Sequence, residues 1–164
     1  MLKNELMRAY AEIGARTPLN TDCGQLCGAA CCDTDEDGQG GVFLFPGEEA
    51  LLEDADWGEV LPRREGWIAP LLRCDFPCDR EKRPLGCRIF PLTPVRGKDG
   101  QWTVRIDARA RAMCPLAASG VRGLDVEFVR AVRRALRAIA EAKEGDAFLE
   151  KWANLEAEYR RELW

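Results

Sequence analysis

Four cysteines fall within ten residues of this sequence, Cys23-Gly-Gln-Leu-Cys27-Gly-Ala-Ala-Cys31-Cys32, and four more follow at Cys74, Cys78, Cys87 and Cys114 in a chain that has no histidine. If sulfurs from both groups share a site, remote parts of the chain must converge, so the cysteines constrain the fold as much as the chemistry. A chain of 164 residues with 46% hydrophobic content buries enough apolar surface to fold without cross-links. That separates it from small secreted scaffolds, which depend on disulfides, and gives weight to a metal.

Composition also bounds the setting. Residues 1–16 carry Lys3, Glu5, Arg8 and Glu12 where a secretory signal needs an uninterrupted apolar stretch. No apolar run approaches the roughly 18 residues that span a bilayer. The expectation is a cytoplasmic protein with no membrane partner, whose thiols stay reduced or metallated. A net charge of −4 exerts no overall pull on nucleic acid. The sequence points to no protein partner.

Thiolates are soft ligands suited to zinc or iron–sulfur clusters, and an all-sulfur set argues against calcium, magnesium or a histidine-rich catalytic zinc site. Eight sulfurs can fill two four-coordinate sites, or supply one cluster with several left over. Neighbours in extended backbone project to opposite faces, so the adjacent pair Cys31-Cys32 favours neighbouring or bridged sites over one shared ion. Cys74 and Cys78 are three residues apart, Cys87 follows a Pro84-Leu85-Gly86 turn, and Cys114 precedes Pro115.

The apolar pattern outlines the rest. Leu2, Leu6, Tyr10 and Ile13 recur at helical spacing, predicting an amphipathic helix over residues 2–15. Residues 17–41 have no period, and a loop of that length inside a compact domain needs something to order it, which bound metal would do. Val42 to Phe45 reads as a buried extended segment, followed after Pro46-Gly47 by a short acidic helix over 48–54. Residues 66–72 form a second extended stretch. Lys98-Asp99-Gly100 is a hairpin turn before a strand in which Trp102, Val104 and Ile106 alternate with polar residues. Asp125 is placed as an N-cap with Leu124 and Val129 as a hydrophobic staple, and Val129, Val132, Leu136 and Ile139 form an apolar stripe. Gly145 is expected to end that helix and Asp146 to cap the next, whose Phe148, Trp152, Leu155 and Tyr159 share a face. The five tryptophans read as packing residues.

At Cys27-Gly-Ala-Ala-Cys31-Cys32, and above all at Arg83-Pro84-Leu85-Gly86-Cys87-Arg88-Ile89-Phe90-Pro91-Leu92, the chain resembles the bacterial CxxCxxCC cysteine-cluster proteins, described as zinc- or iron-chelating. The resemblance spans about residues 20–116 and implies metal binding by Cys23, Cys27, Cys31, Cys32, Cys74, Cys78, Cys87 and Cys114. This chain puts three residues between successive cysteines of the cluster where the family's pattern has two. The family is also similar to flagellin lysine methylases, which carry a comparable cluster, so the alternative function is an iron–sulfur enzyme of redox or methyl-transfer type.

Weaker signals resolve to simpler readings. Asp33, Asp35, Asp37 and Gly38 match the opening of an EF-hand loop, but its twelfth position is Leu44 where a bidentate Glu is required. Arg122, Arg130, Arg133, Arg134 and Arg137 read as a solvated helix face, with no aromatic platform for nucleic acid interleaved. Arg83 and Arg88 flank Cys87 and suit the offsetting of thiolate charge, or salt bridges to Asp75, Asp79 or Glu81. Without histidine, a phosphate loop or a nucleophilic triad, hydrolase and nucleotide chemistry have no support.

The sequence therefore predicts an α+β fold: a small irregular cysteine-rich metal-binding domain over 1–119 with a few short strands and an N-terminal helix, and a C-terminal helical hairpin over 120–164 packed on it. Its expected cofactor is zinc or an iron–sulfur cluster.

Overall fold

The computed structural model describes residues 2–19, 41–74 and 80–163. Helix and sheet are mixed. In order, the regular elements are α1 (Lys3–Ile13), β1 (Val42–Phe43), β2 (Gly58–Leu61), β3 (Leu71–Cys74), α2 (Leu85–Ile89), β4 (Leu92–Arg96), β5 (Trp102–Ile106), α3 (Ala110–Met113), α4 (Val126–Ala140) and α5 (Lys143–Glu162). One three-stranded antiparallel sheet has the order β1-β3-β2, and a separate hairpin pairs β4 with β5 in the register Leu92↔Ile106. No helix among the described residues is long and apolar enough to cross a membrane.

The principal core joins elements from both ends of the chain. Leu6 and Ile13 of α1 pack with Leu85 and Ile89 of α2, Trp102 and Val104 of β5, Val132, Leu136 and Ile139 of α4, and Phe148 and Trp152 of α5. Phe45, fully buried, lies with its ring 4.8 Å from that of Phe148 and 5.3 Å from that of Trp152, so it ties the first sheet to the C-terminal helices. A smaller core gathers Leu44, Leu52, Trp57 and Leu72.

Asp125 caps α4 as its position predicts, accepting a hydrogen bond from Phe128 N at 2.9 Å. The next two expectations need correction. Gly145 does not end a helix but sits inside α5, because a Cβ there would lie 2.1 Å from the Ile139 carbonyl oxygen. Glycine is required for α5 to pass so close to the end of α4. Asp146 caps nothing: its carboxylate accepts Trp102 Nε1–H at 2.7 Å and Arg96 Nη2–H at 3.0 Å, pinning the β4–β5 hairpin to α5. The turn expected before Cys87 is the start of α2, with Pro84 as its N-cap. The acidic helix after Pro46-Gly47 is a single 3-10 turn, Glu48–Leu51, and its first carboxylate is buried. The hairpin read at Lys98-Asp99-Gly100 is formed, with β4 as its first arm, whereas β2 has no counterpart in the sequence reading.

The basic run of α4 is engaged within the protein. Arg134 pairs with Glu12 at 2.7 Å, Arg130 with Glu127 at 3.0 Å, and Arg137 donates to the Trp102 carbonyl. Trp57, Trp102 and Trp152 are buried as expected, and Trp67 packs edge-on against Phe43; Trp164 lies outside the described residues.

Candidate functional site

The Arg83–Leu92 stretch, the most distinctive of the sequence after the cysteine cluster, forms one wall of a cavity of about 470 Å³. In α2, Leu85 and Ile89 stand one helical turn apart and face the core, which leaves Cys87 and Arg88 on the outer side, half-buried at the cavity. Gly86 explains why the helix lies where it does. A Cβ at that position would meet Val42 Cγ2 at 2.3 Å and Trp152 Cη2 at 2.9 Å, so only glycine lets α2 settle between β1 and α5.

The opposite wall is the exit from α1. Gly14 ends that helix at φ 55°, a backbone conformation that suits glycine, and donates to the Tyr10 carbonyl at 2.9 Å. The chain then runs through Arg16 and Pro18 along the cavity, and the Pro18 carbonyl accepts Asp125 N–H at 2.7 Å, fastening this wall to the start of α4.

Arg88 is held in a fixed pose. Its Nε donates to the Arg83 carbonyl at 2.8 Å, Nη1 to that of Gly14 at 3.3 Å and Nη2 to that of Glu81 at 2.5 Å. Its guanidinium also lies over the Tyr10 ring, 4.7 Å from the centroid. Burial lowers the guanidinium's pKa, against the opposing charges of Tyr10 and Glu48.

Beneath Tyr10 lies Glu48, which is completely buried. Its Oε1 accepts the Tyr10 hydroxyl and, at 2.6 Å, Leu85 N–H at the start of α2; Oε2 accepts Phe45 N–H at 2.7 Å. One carboxylate thus joins α1, the exit of β1 and α2, the elements that carry the cavity walls. Burial raises its pKa to about 7 despite the three donors that pull it back, and burial beside Glu48 raises that of Tyr10. Sequence reasoning missed both roles. Tyr10 was read as one of the apolar stripe and Glu48 as the start of a short acidic helix; the available signal was a Glu directly after the buried run Leu44-Phe45 and its Pro-Gly turn.

The eight cysteines divide between described and undescribed parts of the chain. Cys23, Cys27, Cys31, Cys32 and Cys78 lie outside the described residues, as do Asp75 and Asp79 and the acidic run from Asp33 to Gly38. Cys74, Cys87 and Cys114 are half-buried. Cys74 ends β3 opposite Gly58 and packs beside the smaller core, Cys87 lines the cavity, and Cys114 follows α3. Among the described residues no group of three or more His, Cys, Asp or Glu is placed to hold a metal ion. The described cysteines by themselves therefore make no complete ligand set, although their chemistry suits a soft metal.

Chain connectivity adds one relation. Residue 20 follows Leu19, next to Pro18, and residue 79 precedes Arg80, next to Glu81; Pro18 and Glu81 both line the cavity that holds Cys87. At the other ends, residue 40 precedes Gly41, whose position is so tight that a Cβ would lie 2.3 Å from the Leu72 carbonyl oxygen and 3.3 Å from Arg73 Cα, and residue 75 follows Cys74. The described residues that flank 20–40 and 75–79 thus lie at the same two places in the fold, one beside Cys87 and the other beside Cys74.

No protein-family model, curated protein or solved structure matches this chain.

Proposed function

We propose that this chain is a metal-binding protein whose cysteine thiolates hold zinc or an iron–sulfur cluster. The observation that carries the reading is that the described residues flanking the two cysteine-bearing stretches lie at two shared places, Pro18 and Glu81 at the cavity of Cys87, and Gly41 against Leu72 and Arg73 next to Cys74. Cys23, Cys27, Cys31, Cys32, Cys74, Cys78, Cys87 and Cys114 are the residues proposed to supply ligands. Zinc would contribute a structural cross-link, and a cluster would add one-electron chemistry.

The chain's own residues support such a centre in two ways. Four thiolates around a divalent ion leave a net charge of −2, and Arg83 and Arg88 bring positive charge to the side of Cys87. The Glu48 hydrogen bonds to Leu85 and Phe45, together with Gly86, fix α2 and hence the direction from which the Cys87 sulfur is offered.

Purification without oxygen, followed by zinc and iron analysis and a visible spectrum, tests the proposal. Stoichiometric zinc in colourless protein supports a structural or metal-handling role, and stoichiometric iron with a visible chromophore supports a cluster and brings the iron–sulfur enzyme reading forward. Substoichiometric metal, with circular dichroism and proteolysis unchanged after chelation, would overturn it.

A further inference from the structure

We infer that the cavity between the exit of α1 and α2 is a binding site for a small organic anion, whose carboxylate or phosphate group is received by the guanidinium groups of Arg16 and Arg88. The inference goes beyond metal binding and stands on the cavity's own geometry.

Among the described residues, three guanidinium groups, those of Arg16, Arg83 and Arg88, line this cavity together with one carboxylate, Glu81. Among the described residues neither Arg16 nor Arg88 forms an ion pair. Arg16 donates only to the Glu12 carbonyl, at 3.2 Å, and Arg88 only to the three carbonyls of Arg83, Gly14 and Glu81. A half-buried guanidinium whose direct partners among the described residues are neutral carbonyls has shed part of its hydration, while negative charge reaches it at a distance, from Glu48 across Tyr10 and from Cys87; an oxyanion in the cavity would give it a direct partner. Three carbonyls account for three of its five N–H groups, so two remain to receive an oxyanion.

Arg88 is also pre-organised. Tyr10 supports one face of its guanidinium, Glu48 fixes Tyr10, and the carbonyls fix its edge. Little rotamer freedom is lost when a rigid planar fork meets a carboxylate or phosphate, which is the arrangement that favours bidentate recognition. The cavity volume of about 470 Å³ lies in the range of small-molecule sites and exceeds what a bare inorganic ion fills. Ala15, Pro18 and Phe90 offer apolar wall to the ligand's body.

The test is titration calorimetry of the full chain with succinate as the carboxylate probe and glycerol 3-phosphate as the phosphate probe, in wild-type, R16A, R88K and C87S proteins of measured metal content. The expected result is saturable binding of one equivalent of at least one probe. R16A and R88K should each weaken it about tenfold, the scale of one lost charge-assisted hydrogen bond. R16A, at an exposed side chain, keeps the test decisive if R88K does not fold. Binding of neither probe at millimolar concentration, binding indifferent to R16A, or binding that emerges only in C87S, where the anion merely replaces a thiolate, would each overturn the inference. Metal content reports separately on the thiolate centre, so loss of one reading does not imply loss of the other.

Discussion

Replacing Glu48 by glutamine should change the pH dependence of stability in a way that follows from its hydrogen bonds and burial. Oε1 serves Tyr10 and Leu85, and Oε2 serves Phe45. Glutamine preserves the first two acceptor contacts if its oxygen takes the Oε1 position, but its NH₂ then faces the Phe45 N–H, donor against donor. Near pH 5, where native Glu48 is neutral and its hydroxyl oxygen can still accept, E48Q should cost about 1–3 kcal/mol, the penalty for one buried unpaired N–H. The wild-type carboxyl has its pKa raised from 4.5 to about 7 by burial. A carboxyl that holds its proton more tightly when folded contributes stability that is fully present below 4.5 and is lost as pH rises through 7, here about 3 kcal/mol in all. Glutamine has no such dependence.

The gap between wild type and E48Q should therefore narrow by about 3 kcal/mol between pH 5 and pH 8 and reach zero or invert at the upper end. Urea denaturation at about four pH values across that interval, followed by far-ultraviolet circular dichroism, measures it. Effects of pH common to both proteins, such as protonation of metal-binding thiols, cancel in the difference. A gap that stays constant, or widens with rising pH, would refute the reasoning. E48A should fall below E48Q at every pH, since it leaves Tyr10, Leu85 and Phe45 all without their acceptor.

Four further outcomes are expected. G145A should lower stability by about 2–3 kcal/mol in urea unfolding despite the roughly 1 kcal/mol that alanine gains in a helix, because its Cβ would meet the Ile139 backbone at 2.1 Å. D146A should cost about 1–3 kcal/mol and alter the tryptophan fluorescence, since it orphans the buried Trp102 indole N–H. Glu156 is opposite in sign to Glu48: burial raises its pKa, but Arg160, Arg105 and Ala108 N–H more than offset this and hold it below the usual value, so its contribution is present above 4.5 and lost as the medium is acidified, and E156Q should flatten the acid limb of the stability curve. Chelation of the metal should expose residues 20–116 to proteolysis while leaving α4 and α5 protected longest, and C87S should lower metal content.

What the sequence disclosed and what it withheld divide along physical lines. Periodic helices are local, so the stripes of α1 and α4, the Asp125 cap and the alternating strand β5 were readable from their own residues. Where a residue's role depends on a distant partner, the local reading failed in a consistent direction. Gly145 and Asp146 carry the signature of a helix boundary, yet the glycine answers to Ile139 and the aspartate to Trp102 and Arg96. Glu48 reads as the start of a short acidic helix, yet its partners Tyr10 and Leu85 are 38 and 37 residues away. The same limit applies to the candidate site. The cysteines advertise themselves by spacing, but the cavity is assembled from the exit of α1 and the outer face of α2, which no periodicity connects. The link is the Glu48–Tyr10–Arg88 relay, a buried acid that orients a phenol that supports a guanidinium. A buried carboxylate is costly by itself, and its three donors come from the elements around the cavity; the position of Arg88 therefore depends on a residue that never reaches the cavity. E48Q consequently bears on more than stability: by loosening Phe45 and the turn beneath Tyr10, it should also weaken anion binding at Arg88, and it should do so less than R88K does.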